Sequence, residues 1–190
     1  MKRTGIFSGS FNPIHIGHLA LANWLCEFER FDEVWFLVSP QNPVKDSDVL
    51  MDGEHRLQMV REAIGDYPRF RASDFEFSLP RPSYTIHTLR KLREAYPGHN
   101  FHLIIGADNW QIFDRWKDSE ALLREFPIYI YPRRGYRVEI PTTCDKVFYN
   151  ENTPIFEVSS TLIRQSYREG KDVRFFLPES IRHYFLNDSI

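Results

Sequence analysis

The sequence predicts an α/β protein, a mostly parallel sheet with helices on both faces. Short apolar, β-prone runs alternate along the chain with longer segments of helical period. No internal repeat, low-complexity tract or linker interrupts the 190 residues. Hydrophobic residues make up 42% and aromatics 15%, ample for a core and incompatible with compositional disorder. These observations lead to a single domain over residues 1–190.

Thr4 to Ser8 reads as the first strand, and Gly17 to Glu29 as a helix turning Leu19, Ala20, Trp24 and Phe28 towards one side. Glu33 to Val38 is a second strand ended by Pro40. A polar loop from Gln41 to Asp52 leads to a helix through Arg56–Val60, and Arg69 to Ser73 to a third strand. Tyr84 to Tyr96 is helical, with Ile86, Leu89 and Leu92 on its apolar side and Pro97-Gly98 as its stop. Phe101 to Ile105 is the clearest buried strand and closes on Gly106-Ala107-Asp108. Pro127 to Tyr131 and Lys146 to Tyr149 are two more strands. Helices from Ser160 to Arg168 and from Pro178 to Phe185 follow. In such sheets ligands bind at the carboxyl ends of strands, where the strand order reverses.

The 24 Lys+Arg and 26 Asp+Glu give a formal charge of −2. That balance offers no broad attraction for nucleic acid or anionic lipid, though a local site can still hold a small anion. No apolar run reaches the length of a membrane span, and no signal peptide is visible. Cys26 and Cys144 stand far apart and are expected to be reduced, which makes the cytoplasm the expected compartment.

The richest segment runs from Gly9 through Ser10, Phe11, Asn12, Pro13, Ile14, His15, Ile16 and Gly17 to His18. It joins the first strand to the first helix, where free backbone N–H groups and the helix dipole favour an anion. His15 and His18 are three apart and would share one helical face, with Gly17 leaving room for close approach of a ligand. Two imidazoles there could donate to phosphoryl oxygens and stabilise charge developing at phosphorus. Zinc would need further ligands, and neither cysteine has a partner at ligand spacing, so no metal-binding residue is expected. A Walker loop is absent. Near the other end stand Ser159, Ser160 and Thr161, whose hydroxyls could equally cap a helix or hold phosphate, with Arg164 one turn later. From these residues alone the inference reaches phosphate binding and stops.

Together, Gly9 to His18 and Ser159 to Arg164 resemble the (H/T)xGH and SSTxxR motifs of the nucleotidyltransferase superfamily. Within it, the whole chain most resembles the bacterial nicotinate-nucleotide adenylyltransferases. Ser83 to Leu89, Gly106 to Trp110 with Phe113 and Trp116, and Asn42-Pro43-Val44-Lys45 narrow the resemblance to that family. It implies a Rossmann-like fold, with ATP and nicotinate mononucleotide as partners. ATP would lie on Gly9, Ser10, Phe11, His18, Gly106, Asp108, Ser159, Ser160, Thr161 and Arg164. His15, His18 and Arg164 would stabilise the α-phosphate and the departing pyrophosphate. Asn42, Lys45, Thr85, Trp116 and Arg133 would serve the mononucleotide, Trp116 by stacking on its ring and the backbone near Thr85 by holding its carboxylate. Mg²⁺ would be held mainly by phosphates and water.

Two positions depart from the family pattern, which commonly has Asp at both Asn12 and His87; neither touches His15, His18 or Arg164. The rivals are phosphopantetheine adenylyltransferase, a cytidylyltransferase of the same superfamily, and a non-catalytic nucleotide sensor on the same fold. Trp24 and Trp35 are expected in the core, and a homo-oligomer is left open.

Overall fold

The computed structural model describes residues 1–40 and 50–185. Its six strands are β1 (Lys2–Gly9), β2 (Glu33–Val38), β3 (Phe70–Ser73), β4 (His99–Gly106), β5 (Ile128–Tyr131) and β6 (Val147–Tyr149). They form one sheet in the order β3-β2-β1-β4-β5-β6, and every neighbouring pair is parallel. The helices are α1 (Ile16–Glu27), α2 (Gly53–Ile64), α3 (Thr85–Ala95), the short α4 (Ala107–Trp110), α5 (Ser119–Glu125) and α6 (Ser160–Arg168). Every strand foreseen from the sequence is present, as is the parallel arrangement.

A central parallel strand buries both faces, so its residues alternate between two cores. Phe7, Phe36 and Ile104 join α1 and α2 on one side. Ile6, Trp35, Leu37, Leu103 and Ile105 meet α3 and α5 on the other. β1 is paired on both edges, with Phe7 opposite Phe36 of β2 and Ile104 of β4. The chain runs outward from β1 through β2 and β3, then returns to β1's other edge as β4. The carboxyl ends of β1 and β4, Gly9 and Gly106, therefore flank the switch point.

Three expectations are corrected. The first helix buries Leu21, Ala22, Leu25 and Cys26, while Leu19, Ala20 and Trp24 are half-exposed and Phe28 is 64% exposed. This helix is apolar around most of its circumference, so periodicity alone could not choose the inner face. Trp24 accordingly lies outside the core, its ring stacked on Phe28 at 4.1 Å between centroids, whereas Trp35 is fully buried. The final segment is a 3₁₀ helix over Glu179–Phe185, opened by Ile181 N–H donating to the Pro178 carbonyl three residues back. Finally, α5 is a helix where none was drawn; seven residues are too few to show a period.

Candidate active site

The first loop leaves β1 at Gly9 and enters α1 after His15, with Phe11 in the left-handed region at φ 44°. The His15 backbone N–H donates to His18 Nδ1 at 3.2 Å, and the two rings stack with centroids 3.6 Å apart. His18 also meets Phe7 and Phe11 edge-on, at 5.7 and 5.1 Å. Burial in this aromatic nest, with Arg133 nearby, lowers the His15 pKa to about 3. Burial, then His15 and Arg133, hold His18 well below its ordinary value. Both rings are thus neutral at neutral pH. Because Nδ1 of His18 accepts, its single proton sits on Nε2, where it can donate.

The far end of the described chain closes onto this loop. Ser159 caps α6 by accepting from the Leu162 N–H at 3.1 Å. Ser160 Oγ donates to the Pro13 carbonyl at 2.8 Å, and Arg164 donates to the Asn12 carbonyl at 2.7 Å and to Thr161 Oγ1 at 3.3 Å. The hydroxyls are therefore engaged in capping and stitching.

Across the switch point β4 ends at Gly106, and Asp108 lies in the next turn. Among the described residues its Oδ1 is buried without a hydrogen-bond partner, 3.7 Å from Arg133 Nε, which likewise has none. Arg133 also donates to the Tyr131 hydroxyl at 3.1 Å. Asp108 Oδ1 and Arg133 Nε form an ion pair on the cavity wall that falls short of a hydrogen bond. A third wall is the N-terminus of α3. Its N-cap, Tyr84, makes no side-chain capping bond; the His87 and Thr88 N–H groups return to the Tyr84 carbonyl, while those of Thr85 and Ile86 have no partner among the described residues and can receive an anion.

These walls enclose one cavity of about 720 Å³. Gly9, Ser10, Phe11, His15, His18, Thr85, Gly106, Asp108, Trp116, Arg133, Ser159, Ser160 and Thr161 all line it. Of the described residues given a catalytic or binding role from the sequence, only Arg164 is absent from that lining, its guanidinium donating to the Asn12 carbonyl and Thr161 Oγ1. Asn42 and Lys45 lie outside the described residues. Asn12 is buried, its Oδ1 accepting from the Met51 N–H at 3.4 Å, while His87 is exposed on α3 beside Tyr84.

Residues 6–166 match the cytidylyltransferase-like family. A protein of Bacteroides fragilis named "Probable nicotinate-nucleotide adenylyltransferase" is 58% identical over 94% of this chain and 89% of its own. A protein of the same name in Bacteroides thetaiotaomicron is 57% identical, covering 96% and 90%. The chain belongs to the cytidylyltransferase-like family, among the nicotinate-nucleotide adenylyltransferases. A Plasmodium falciparum nicotinic acid mononucleotide adenylyltransferase complexed with NaAD has the same fold, with TM-score 0.77 at 19% identity over 99% of this chain and 98% of that one. The same enzyme complexed with APC gives 0.74 at 18%.

Sequence reasoning missed several residues of this adenylyltransferase cavity or its supports, Lys117, Ile112 and Val158 on its wall among them. Ser39, Glu76 and Tyr131 line it, and Arg56 lies behind the first loop. Glu76 is buried, accepts from Thr88 Oγ1 at 3.0 Å, and has its pKa raised by burial. Nothing in their sequence surroundings sets them apart; only the fold brings them to one place.

Among the described residues no group of three or more His, Cys, Asp or Glu side chains could hold a metal ion. The cavity's two carboxylates are Asp108, beside Arg133, and Glu76, hydrogen-bonded to Thr88. This donor set fits a divalent ion that arrives with phosphates and keeps its own waters.

Proposed function

We infer that the chain transfers the adenylyl group of ATP to nicotinate mononucleotide, giving deamido-NAD and pyrophosphate. The observation that carries this reading is the pairing of two anion-binding walls in one cavity: the His15–His18 loop on one side and the open N-terminus of α3 on the other. A mononucleotide with an acid on its ring has two anionic ends to satisfy.

A 5′-phosphate oxygen of the mononucleotide attacks the α-phosphorus of ATP in line. The new P–O bond forms as the bond to the bridging oxygen breaks, and pyrophosphate leaves with the electron pair. The nucleophile is already ionised at neutral pH, so no general base is required. His18 donates a hydrogen bond from its Nε2–H to a phosphoryl oxygen, keeping its proton and staying neutral, and His15 stacks behind it. Gly9, Ser10 and Phe11 offer backbone to the nucleotide, Asp108 and the Gly106 turn take its ribose hydroxyls, and Ser159, Ser160 and Thr161 present the α6 terminus to its phosphates. Arg164 holds the loop through the Asn12 carbonyl and adds positive charge behind it. Thr85 offers its N–H to the ring carboxylate, Trp116 stacks, and Arg133 faces the mononucleotide phosphate. Asn42 and Lys45, outside the described residues, are assigned to the mononucleotide by the family resemblance alone. A divalent ion such as Mg²⁺, carried in on the polyphosphate, would neutralise its charge and make pyrophosphate a better leaving group. Cys26 and Cys144 are free, with burial pushing the Cys26 thiol up to about 11, in keeping with a reducing cytoplasm.

The test is pyrophosphate release from Mg-ATP with nicotinate mononucleotide, nicotinamide mononucleotide or phosphopantetheine as acceptor. Preference for the first is expected. Preference for the amide would overturn the role of the α3 terminus, and preference for phosphopantetheine the substrate class. ATP binding with no release from any acceptor would favour a sensor. In the same assay His18→Ala should lower kcat by about 100-fold, with the fold intact by circular dichroism; wild-type turnover would remove His18 from the chemistry.

A further inference from the structure

Arg56 stands in the first turn of α2 and is fully buried. All three of its guanidinium nitrogens donate, and each takes a backbone carbonyl from a different segment. Nε reaches Met51 at 2.8 Å, just before α2, and Nη2 reaches Pro40 at 3.0 Å, just past the end of β2. Nη1 reaches Ser10 in the first loop. No carboxylate accepts from the guanidinium among its hydrogen bonds in the described residues. A buried cation whose side-chain hydrogen bonds all go to carbonyls, with the Asp52 charge offsetting only part of its burial, carries a large desolvation cost, and an apolar side chain of similar volume would fill the space without it. What the guanidinium adds is a rigid planar fork that fixes three backbone strands relative to one another.

The Ser10 carbonyl is where that fork meets the site. Ser10 lines the cavity, and the next residue, Phe11, is held at φ 44°, a left-handed conformation that non-glycine residues rarely keep without outside support. Asn12 is tied from the same direction, its Oδ1 accepting from the Met51 N–H at 3.4 Å. Arg56 and Asn12 thus cross-link the same short stretch before α2 to two successive points of the loop, Ser10 and Asn12.

We propose that Arg56 is a positioning residue for nucleotide binding, which sets the Ser10–Phe11–Asn12 backbone in the register that receives ATP. The proposal rests on the adenylyl-transfer reading for its kinetic test, but not for its binding test. Lysine at this position keeps the charge and can satisfy one carbonyl at a time, so Arg56→Lys should loosen the loop while preserving the fold.

Arg56→Lys and Arg56→Gln would be compared with wild type and with Leu122→Ala, a cavity variant in the core on the opposite face of the sheet. Expected for both Arg56 variants are a rise in KM for ATP of about tenfold or more and a fall in kcat of up to about 100-fold, the scale of an ångström-level misplacement. KM for the mononucleotide should change by less than about threefold, because the α3 terminus receives no bond from Arg56. Leu122→Ala should lower Tm with unchanged kinetic constants below its transition. Folded Arg56 variants with wild-type KM for ATP and kcat would overturn the proposal. So would failure of both to fold, which would make Arg56 a folding residue only. Calorimetric titration with Mg-ATP reads the loop independently of turnover. If wild type binds ATP but turns over no acceptor, the functional reading fails, while weaker ATP binding by Arg56→Lys still upholds the positioning role.

Discussion

Gly106→Ala separates the stability of the switch point from its chemistry. Gly106 has φ −77° and ψ 157°, a backbone that alanine adopts freely, so only the added methyl matters. A Cβ there would lie 2.3 Å from Asp108 Oδ1, 3.1 Å from Tyr131 Cζ and 3.2 Å from the Tyr131 hydroxyl. The Tyr131 contacts require a shift of a few tenths of an ångström in a packed ring, at the low end of the roughly 1–3 kcal/mol of overpacking. Removing glycine's freedom from the unfolded chain returns about 0.4–1 kcal/mol. Net destabilisation should therefore stay below about 2 kcal/mol, a Tm drop of less than about 8 °C at this chain length. The Asp108 carboxylate fares worse, because it must retreat by about 1 Å to reach ordinary contact. That movement removes a hydrogen bond to a charged group, worth about 1.5–3 kcal/mol, from any ribose it holds. KM for ATP should rise about 10- to 100-fold, read from initial rates of pyrophosphate release, with Tm followed by scanning fluorimetry. Asp108→Ala should give a similar rise, and adding Gly106→Ala to it should change little more, since both act through one carboxylate. A Gly106→Ala protein with KM for ATP within twofold of wild type would refute the reasoning.

Three further outcomes concern stability. Burial, with Arg3 nearby, holds His102 at about 4, and His15 and His18 are likewise kept neutral, whereas all three protonate near 6.5 once unfolded. The unfolded chain then binds more protons below pH 6.5, so stability falls with acidification by up to about 1.4 kcal/mol per pH unit for each ring. Denaturant titrations between pH 5 and 6.5 should show a slope that His102→Asn reduces by about one proton; an unchanged slope would contradict the burial argument. Glu125 is held at about 2, chiefly by hydrogen bonds from Arg90 and then Arg93, so its contribution is present above the usual value of 4.5 and lost as pH falls towards 2. Glu125→Gln should cost about 1 kcal/mol at pH 7 and well under half of that at pH 2. Tyr129→Phe leaves the buried Thr153 hydroxyl, now 2.9 Å from the Tyr129 oxygen, without its partner. It should cost about 1–3 kcal/mol, and Thr153→Val in the same protein should recover part of that.

The sheet was legible because central parallel strands are near-continuous apolar runs, as in Val34–Val38 and in Phe101–Ile105, where His102 is the one polar residue. The orientation of α1 was not, because a helix apolar on nearly all sides carries no directional signal until β2 selects Leu21, Ala22, Leu25 and Cys26. Among the site residues, those on the first loop and at the α6 terminus could be read locally, since glycine, histidine and serine cluster there. Arg164 donates to the Asn12 carbonyl, a partner 152 residues away that nothing in its own surroundings announces. A side chain's reach is set by what the fold places opposite it. Arg56 shows the same limit more sharply. In sequence it is one polar residue in a helix, and its three partners come from Ser10, Pro40 and Met51.

The bonds from Ser160 to Pro13 and from Arg164 to Asn12 span 147 and 152 residues. On the ribosome, at about 5–20 residues per second, the loop emerges roughly 8–30 s before the helix that completes it. Loop-closure entropy works against such distant contacts until the intervening strands have paired. A nascent chain therefore carries an unfinished nucleotide site for most of its synthesis, and competence to bind ATP becomes a late event in the protein's own production.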